Sequence, residues 1–424
     1  MTFFILGNNP ALSTAEIINI YKGRNLINGK NFALMDREID AEEEIKKLGG
    51  IIKIGKTITE IPLAKANKEL LGDKILKYLN LLFKENKLAK QNKISFGFSF
   101  YGYKEKFPKK VFIKDIAMVI KKHLKEEGMN ARWVVSREEN LSSAAVQKNN
   151  LFIKKNGMEI VFLVYKETLF MGATEAVQDF SQYSELDYGR PSRNGYSGML
   201  PPKLAKMMIN FSECPKGKSL LDPFCGSGTI LQEALLMGYK KITGSDMKES
   251  AIESAEKNLE WIKSKMQNLE LDDVSLNLVK ISAEKLSSAF GLNSIDAIIT
   301  EPYLGPPIRK DAGMSISEIT KNLTKIYLKT FRNFKEILKK NGAIVMVFPI
   351  FKSLDDSEDR YYKFMQIITE IEEYGFELVD LIPNTIADEL IDLYGKNSIS
   401  KRKTLIYSRP DQYVLREIVK FRKK

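Results

Sequence analysis

The sequence predicts an α/β protein, with a mostly parallel sheet in its C-terminal half and smaller α+β units before it. The first observation is alternation. From residue 219 onward, short apolar runs trade places with stretches of helical period: SLLD then ILQEALLMGY, KKITGSDM then KESAIESAEKNLEWIKSKM, LNLVKI, DAIIT then ISEITKNLTKIYLKTFRNFKEILKKNG, GAIVMVFPI then MQIITEIEEYG, and FELVDLI. Strands alternating with helices build a parallel sheet covered on both faces. RKTLIYSRP reads as the last strand. No long helix is expected before it, so it is expected to run antiparallel. The second observation is that the polar turns DPFCGSGT and TEPYLGPP both follow strands, at the sheet ends where ligands of such folds bind.

Upstream, TFFILG reads as a strand, and Ser13 is placed to cap a helix through TAEIINIY. NFALMDREI follows as a strand, a short helix stops at the glycines of LGG (48–50), and IIKIGKTITEI is a third strand. An amphipathic helix over about residues 64–83 leads to a second unit. There KISFGFSFYGY alternates as a strand, KDIAMVIKKHLKEEGM is a helix, RWVVS a strand and GMEIVFLVYKETLFMGAT a hairpin. Residues 175–200 are polar, glycine-bearing and aperiodic, and read as a linker. PPKLAKMMINF then opens a helix with proline where a missing N–H costs nothing. The expected domains are 1–90, 91–175, a linker over 176–200, and 201–424.

The 424 residues carry a formal net charge of +12. That excess favours an anionic partner, nucleic acid first; the plainer reading is lysines solvated on every surface. Between residues 84 and 125 twelve lysines stand against three acids, with Tyr101, Tyr103 and Phe107 interleaved. Such a mixture offers charge to phosphates and rings to bases, or is a solvated strand edge over core aromatics. Two cysteines, Cys214 and Cys225, and one histidine, His123, leave no metal-ligand cluster and no histidine triad. No metal is expected in this chain, and His123 reads as a surface residue of a lysine-rich helix. So few cysteines fit a cytoplasmic protein. The N-terminal apolar run is too short for a signal peptide, and nothing approaches a membrane span.

The turn LLDPFCGSGT (220–229) lacks Gly-Lys-Ser/Thr and is not GxGxxG. Its glycines, Gly226 and Gly228, permit a tight turn and close approach of a ligand to the backbone. Asp222 precedes them, and Asp246 follows Gly226 by twenty residues at the end of the next strand. A carboxylate there is placed for ribose hydroxyls. An adenosine ligand without pyrophosphate fits best, and S-adenosylmethionine, cationic at its methionine end, also explains Asp222. Cys225 reads as a small packing residue.

DPFCGSGT, then SDM, then DAIITEPYLG resembles the class I Rossmann-like methyltransferases, and most specifically the THUMP-domain tRNA guanine-N2 methyltransferases that act on guanosine 10. The likeness runs over nearly the whole chain. FFILGNNPALSTAEI and LGGIIKIG resemble that family's N-terminal ferredoxin-like domain, and residues 91–175 its THUMP RNA-binding domain. DYGRPSRNGYSGMLPPKLAKMMIN resembles its linker and first helix, and LIYSRPDQYVLREI its end. The resemblance implies a seven-stranded Rossmann-like domain, S-adenosyl-L-methionine as cofactor and tRNA as partner. Some relatives work with a small zinc-binding activator protein, which joins the candidate partners. In the first loop it implies cofactor contacts from Asp222, Pro223, Phe224, Gly226, Gly228 and Thr229, with Asp222, Gly226 and Gly228 facing the methionine end. Asp246 would hold the ribose, beside Met247. Where the family often has Asp-Ala, this chain has Ser282-Ala283, with Glu284 next.

In SIDAIITEPYLGPP (294–307) the apolar residues Ala297, Ile298 and Ile299 run through Thr300 into an acid, a proline and an aromatic ring. The family's fourth motif usually reads Asp-Pro-Pro-Tyr-Gly. Two registers are open. Without a gap, Glu301 stands at the Asp and Pro302 and Tyr303 at the prolines; shifted by one, Thr300 stands at the Asp. The gapless register also matches Gly305 and is preferred. The catalytic candidates are therefore Glu301, Pro302, Tyr303 and Thr300. Guanine's exocyclic amine is a poor nucleophile, so a carboxylate and a carbonyl must hold its N–H groups while a ring stacks on the base. The competing readings are a ribosomal RNA guanine-N2 methyltransferase, an N6-adenine DNA methyltransferase and an inactive RNA-binding relative.

Overall fold

The computed structural model describes residues 1–22, 25–88, 93–102, 109–138, 140–192, 199–265, 273–306, 315–352, 361–362, 366–409 and 412–424. The chain divides into two compact units, one of residues 1–10, 23–47 and 51–182, the other of 11–22, 48–50 and 183–424.

In chain order the first part runs β1 (Thr2–Leu6), α1 (Pro10–Tyr21), β2 (Leu26–Asn28), β3 (Phe32–Met35), α2 (Ala41–Lys47), β4 (Ile51–Pro62), α3 (Lys68–Lys84), β5 (Lys93–Tyr101), α4 (Lys109–Glu126), β6 (Asn130–Val134), α5 (Ser143–Lys148), β7 (Gly157–Tyr165), β8 (Thr168–Val177) and α6 (Phe180–Ser184). The eight strands form one sheet in the order β2-β3-β1-β4-β8-β7-β5-β6. β5 is parallel to β6 and β7, and α4 makes the crossover that a parallel pair requires. β4, before the expected boundary near residue 90, pairs antiparallel with β8, after it. β5 departs from the expected alternation. It lies between two strands and buries Phe96, Phe98, Phe100 and Tyr101, so Tyr101 is a core residue and not a ring offered to a base. Tyr103 and Phe107 lie outside the described residues. Ser13 does not cap α1, which starts at Pro10; it is buried inside the helix and donates to the Gly50 carbonyl at 2.7 Å. Proline in the first turn is the stronger start signal.

The second part runs α7 (Pro202–Ser212), β9 (Ser219–Asp222), α8 (Thr229–Leu236), β10 (Lys241–Asp246), α9 (Glu249–Lys265), β11 (Ser275–Lys280), β12 (Ile295–Thr300), α10 (Ile316–Ile337), β13 (Leu338–Lys352), β14 (Tyr361–Tyr362), α11 (Gln366–Glu373), β15 (Phe376–Val379), α12 (Asn384–Tyr394), β16 (Leu405–Tyr407) and β17 (Val414–Lys423). Seven strands follow the path β11-β10-β9-β12-β13-β17-β15, with β14 beside β13 and β16 beside β17. The run from β11 to β13 is parallel, and β17 is antiparallel to both its neighbours. The sheet is thus mixed, and its last strand needs correction. It is β17, whereas RKTLIYSRP supplies only the short β16, and α12 precedes both. The apolar pattern hid β17 because Arg416, Glu417 and Lys420 are buried in it.

Under the parallel strands α10 buries Leu323, Tyr327, Phe331 and Phe334 against Ile298, Ile344, Phe348 and Phe421. Ser315 and Glu318 form a capping box at its start. Helix α1 counts with this unit. Its buried Glu16 accepts from the Gly49 and Gly50 amides, each at 2.8 Å, and from Asn210 of α7 at 2.7 Å. Part of the expected linker is built in as well: after α6 a π-helical turn spans Glu185–Gly189, and Tyr183, Leu186 and Arg190 are buried.

In the first unit a buried charge ties the middle of the sheet together. Glu159 of β7 accepts from Lys53 of β4 at 2.5 Å, Ser99 of β5 at 2.6 Å and Thr174 of β8 at 2.5 Å. Lys53 also donates to the Leu141 carbonyl at 2.6 Å. A charge pair away from water stands only when each member is satisfied, and truncating one partner strands the other. Glu159→Ala is therefore expected to cost ~3–5 kcal/mol, read by hydrogen exchange as lost protection in β4, β5, β7 and β8. The double change Lys53→Met with Glu159→Leu should recover most of it. A cost as small as that of an exposed pair, roughly 1 kcal/mol or less, would contradict this account.

Candidate active site

β9 lies between β10 and β12. The chain leaves β9 outward through β10 and β11, then returns to its other side through β12. The loops after β9 and β12 therefore part on either side of one crevice at the carboxyl ends of the strands, the ligand position of open α/β sheets.

Asp222 closes β9 and is 2% exposed. Its Oδ1 accepts from the Phe224 amide at 3.2 Å and from the Thr300 hydroxyl at 2.7 Å. Beyond it the turn is held by the Cys225 amide on the Ser245 carbonyl (2.9 Å) and the Gly228 amide on the Cys225 carbonyl (2.7 Å). Gly226 and Gly228 have φ of +51° and +82°. Their neighbours separate their roles. A Cβ on Gly228 would stand 3.2 Å from that of Ala255 in α9, whereas one on Gly226 would meet nothing within 4 Å. Gly228 thus admits helix packing, and Gly226 leaves a cradle open. Cys225 is buried, and burial pushes its thiol far up, as suits a packing residue.

Asp246 ends β10 beside this turn. Its Oδ2 accepts from the Gly226 amide at 3.2 Å and its Oδ1 from the Lys248 amide at 2.9 Å. The Ile281 amide donates to the Asp246 carbonyl at 3.0 Å, which brings Ser282 and the buried Ala283 alongside. Ser282 caps the following turn by accepting from the Glu284 amide at 3.3 Å. Pro223 is buried, Phe224 half-buried, and Met247 exposed. The Thr229 hydroxyl, at the start of α8, accepts from the buried Arg190 at 2.8 Å.

Across the crevice, Thr300 closes β12 fully buried. Glu301 follows, half-buried, and Arg416 of β17 donates from Nε to its Oε1 at 2.5 Å and from Nη2 to its Oε2 at 3.4 Å. Pro302 is buried, and Tyr303 is 54% exposed at the rim. The Tyr327 hydroxyl of α10 donates to the Tyr303 carbonyl at 2.7 Å and anchors the loop.

Burial dominates the electrostatics. It pushes Asp222 up from the ordinary carboxylate range to about 7; the bonds from Thr300 and Phe224 pull it down, while Asp246 and Glu301 push it further up. Glu301 is raised too, by burial, and its contact with Arg416 opposes this. Among the described residues, no group of three or more His, Cys, Asp or Glu is placed to share a metal ion.

The fold thus gathers the first-loop residues, Asp246, Ser282, Ala283 and the segment Thr300–Tyr303 around one crevice. It also adds two arginines that the sequence patterns did not flag. Arg190 lies in a polar, aperiodic stretch, and Arg416 in an unrecognised strand whose register alone carries it to Glu301.

A family model described as RMKL-like, methyltransferase domain matches residues 190–366. A second, described as DNA methylase, matches residues 62–257 and stops short of the segment at 300–303. A tRNA (guanine(10)-N2)-dimethyltransferase of Methanothermobacter thermautotrophicus is 30% identical over 175 residues, 39% of this chain and 44% of that relative. A probable tRNA (guanine(10)-N2)-dimethyltransferase of Methanothermococcus thermolithotrophicus is 32% identical over 146 residues, 34% of this chain and 77% of that relative. The chain spans about half the length of the curated relatives it matches. The crystal structure of TrmN from Thermus thermophilus, 14% identical, superposes with a TM-score of 0.53 over 100% of both chains, a likeness of fold. With these motifs around its switch-point crevice, the chain belongs to the tRNA (guanine(10)-N2)-dimethyltransferase family.

Proposed function

We propose that this chain transfers methyl groups from S-adenosyl-L-methionine to the exocyclic N2 of a guanosine in tRNA, at position 10. One observation carries the reading: an open glycine turn between Asp222 and Asp246 faces Glu301-Pro302-Tyr303 across the switch point. The names of the relatives supply tRNA, the position and a dimethylated end product.

The residues fit the cofactor. The space beside Gly226 admits a ligand against the backbone. Asp246, oriented by two amides, keeps lone pairs for ribose hydroxyls. Met247 is exposed to lie along the adenine, with Ser282 and Ala283 at its edge. Pro223 and Phe224 shape the turn, and Thr229, held by Arg190, starts the helix behind it. Asp222 stands toward the cationic end; a nearby positive charge favours its ionised form, which burial alone disfavours. When bound, the cofactor supplies an electrophilic methyl on a sulfonium. On the other side, Glu301 and the Pro302 carbonyl accept from the two N–H groups of the amine, and Tyr303 stacks on the base. Thr300, committed to Asp222, links the two halves and does not touch the base. The first unit, where the resemblance places the ferredoxin-like and THUMP modules, is assigned to gripping tRNA through its lysines.

The reading is tested by transfer of labelled methyl to unmodified tRNA transcripts with nucleoside analysis of the product. N2-methylated guanosine, lost when guanosine 10 is changed, is expected; label confined to ribosomal RNA or DNA would overturn it. Glu301→Ala should lower the transfer rate ~100-fold or more with cofactor affinity preserved, and retained activity would move the role elsewhere. Gly226→Ala fills the cradle. It should weaken cofactor binding in calorimetry at a stability cost of only ~1–2 kcal/mol.

Asp222 makes a pH prediction. Its folded pKa lies above its unfolded one, so its contribution favours folding most below the unfolded value and fades as pH rises through about 7. Asp222→Asn keeps an acceptor for Thr300 and removes the buried charge. Its stability should gain on the parent between pH 4 and 7.5, by up to ~4 kcal/mol, while cofactor affinity falls. A pH-independent difference would contradict the assignment.

A further inference from the structure

We propose that Arg416 is a positioning residue that holds Glu301 as a fixed, ionised hydrogen-bond acceptor, so that Glu301 orients the substrate amine and does not take its proton. This rests on the reading of Glu301 given under the proposed function.

The geometry has a specific reach. β13 lies between β12 and β17, so the pair spans two strand spacings, roughly 9–10 Å. Arg416 is opposite Pro349 in the β13–β17 register, is 6% exposed, and meets the carboxylate with Nε at 2.5 Å and Nη2 at 3.4 Å. A side chain one methylene shorter at 301 would fall short of the guanidinium, which accounts for glutamate where the family resemblance leads one to expect aspartate.

The surroundings say why a guanidinium is needed. Among the described residues, the other titratable groups around Glu301 include Asp222 at the end of β9, Tyr327 of α10 and Tyr303 on its own loop. The cation paired with Glu301 among the described residues is Arg416. Without it, nothing would oppose the effect of burial, which raises Glu301 and favours its protonated form. A protonated carboxyl donates a hydrogen bond where the amine requires an acceptor. With it, each carboxylate oxygen is fixed on one side by the guanidinium and keeps lone pairs for the amine's N–H. In the transfer, an N–C bond forms from the nitrogen lone pair while the methyl's bond to sulfur breaks and its electron pair leaves with sulfur. The nitrogen then sheds one proton. The guanidinium opposes the gain in basicity that burial gives the carboxylate and occupies one side of each oxygen, so that proton passes to water.

The test uses Arg416→Met, Arg416→Lys, Glu301→Gln and the double variant E301Q/R416M in the full chain. At saturating cofactor and tRNA, R416M should lose kcat by ~100-fold at pH 6.5, with KM for tRNA and cofactor affinity little changed. Activity should return as pH is raised toward 9 and Glu301 ionises. R416K restores a cation without the two-point contact, so it should show a reduced rate but a flatter pH profile than R416M. In the Glu301→Gln background the second change should cost nothing further. An R416M variant with parental kcat, or one whose loss is independent of pH and multiplies with that of E301Q, would overturn the proposal.

A stability readout needs no activity. In R416M the half-buried Glu301 has a folded pKa above its unfolded one, so its stability should fall relative to E301Q/R416M as pH rises from 5 to 8. A constant gap would also overturn the proposal. If the parent chain methylates no RNA while this gap still widens, the functional reading fails and the charge pairing stands.

Discussion

A hydrogen bond of 2.7 Å from the Thr300 hydroxyl to the Asp222 carboxylate joins the two strand ends on which the site stands. Both partners are buried, so the bond is made away from competing water. It lies where the chain changes direction across the sheet. Asp222 closes the strand leading into the glycine turn, and Thr300 closes the strand leading into Glu301. The relative placement of the two loops therefore depends on this contact more than on either loop's own conformation. One buried carboxylate also couples the two loops electrically, because it feels Asp246 beside the glycine turn and Glu301 after β12.

Buried charge is the recurrent device of this molecule. In the first unit Glu159 gathers donors from three strands around it. In the second, β17 carries three charges into the sheet. Arg416 meets Glu301. Glu417, fully buried, accepts from Arg402 at 2.9 Å and from Thr404 at 2.5 Å. Lys420 donates to Glu213 at 2.7 Å. Each pairing needs one register of β17 against β13, and a slip by one residue would turn every charge to the opposite face. These pairs thus specify register, and register delivers Arg416 to the crevice.

The sequence made the parallel core and the site's loops legible for physical reasons. SLLD, KITGSD and IDAIIT are short apolar runs ending in turns with acids and glycines, and those turns bind ligands because they lie where such strands end. Positive φ at Gly226 and Gly228 is the constraint their glycines announce. What stayed hidden depends on long-range pairing. VLREIVKFRK sets charges among apolar residues without a clean strand alternation, and what those charges meet lies far off in the chain. Ser13 has the composition of a cap but lies inside α1, because Pro10 starts the helix earlier. Tyr101 beside lysines suggests a nucleic-acid surface, yet β5 lies between β7 and β6 and the ring is buried in the core.

The central claim is that this crevice acts on an exocyclic amine. It is tested most directly with a tRNA transcript carrying inosine, which lacks the 2-amino group, at position 10. The account predicts binding of that transcript with unchanged affinity and no incorporation of labelled methyl, against incorporation into the guanosine-10 transcript. Equal labelling of both transcripts would contradict it.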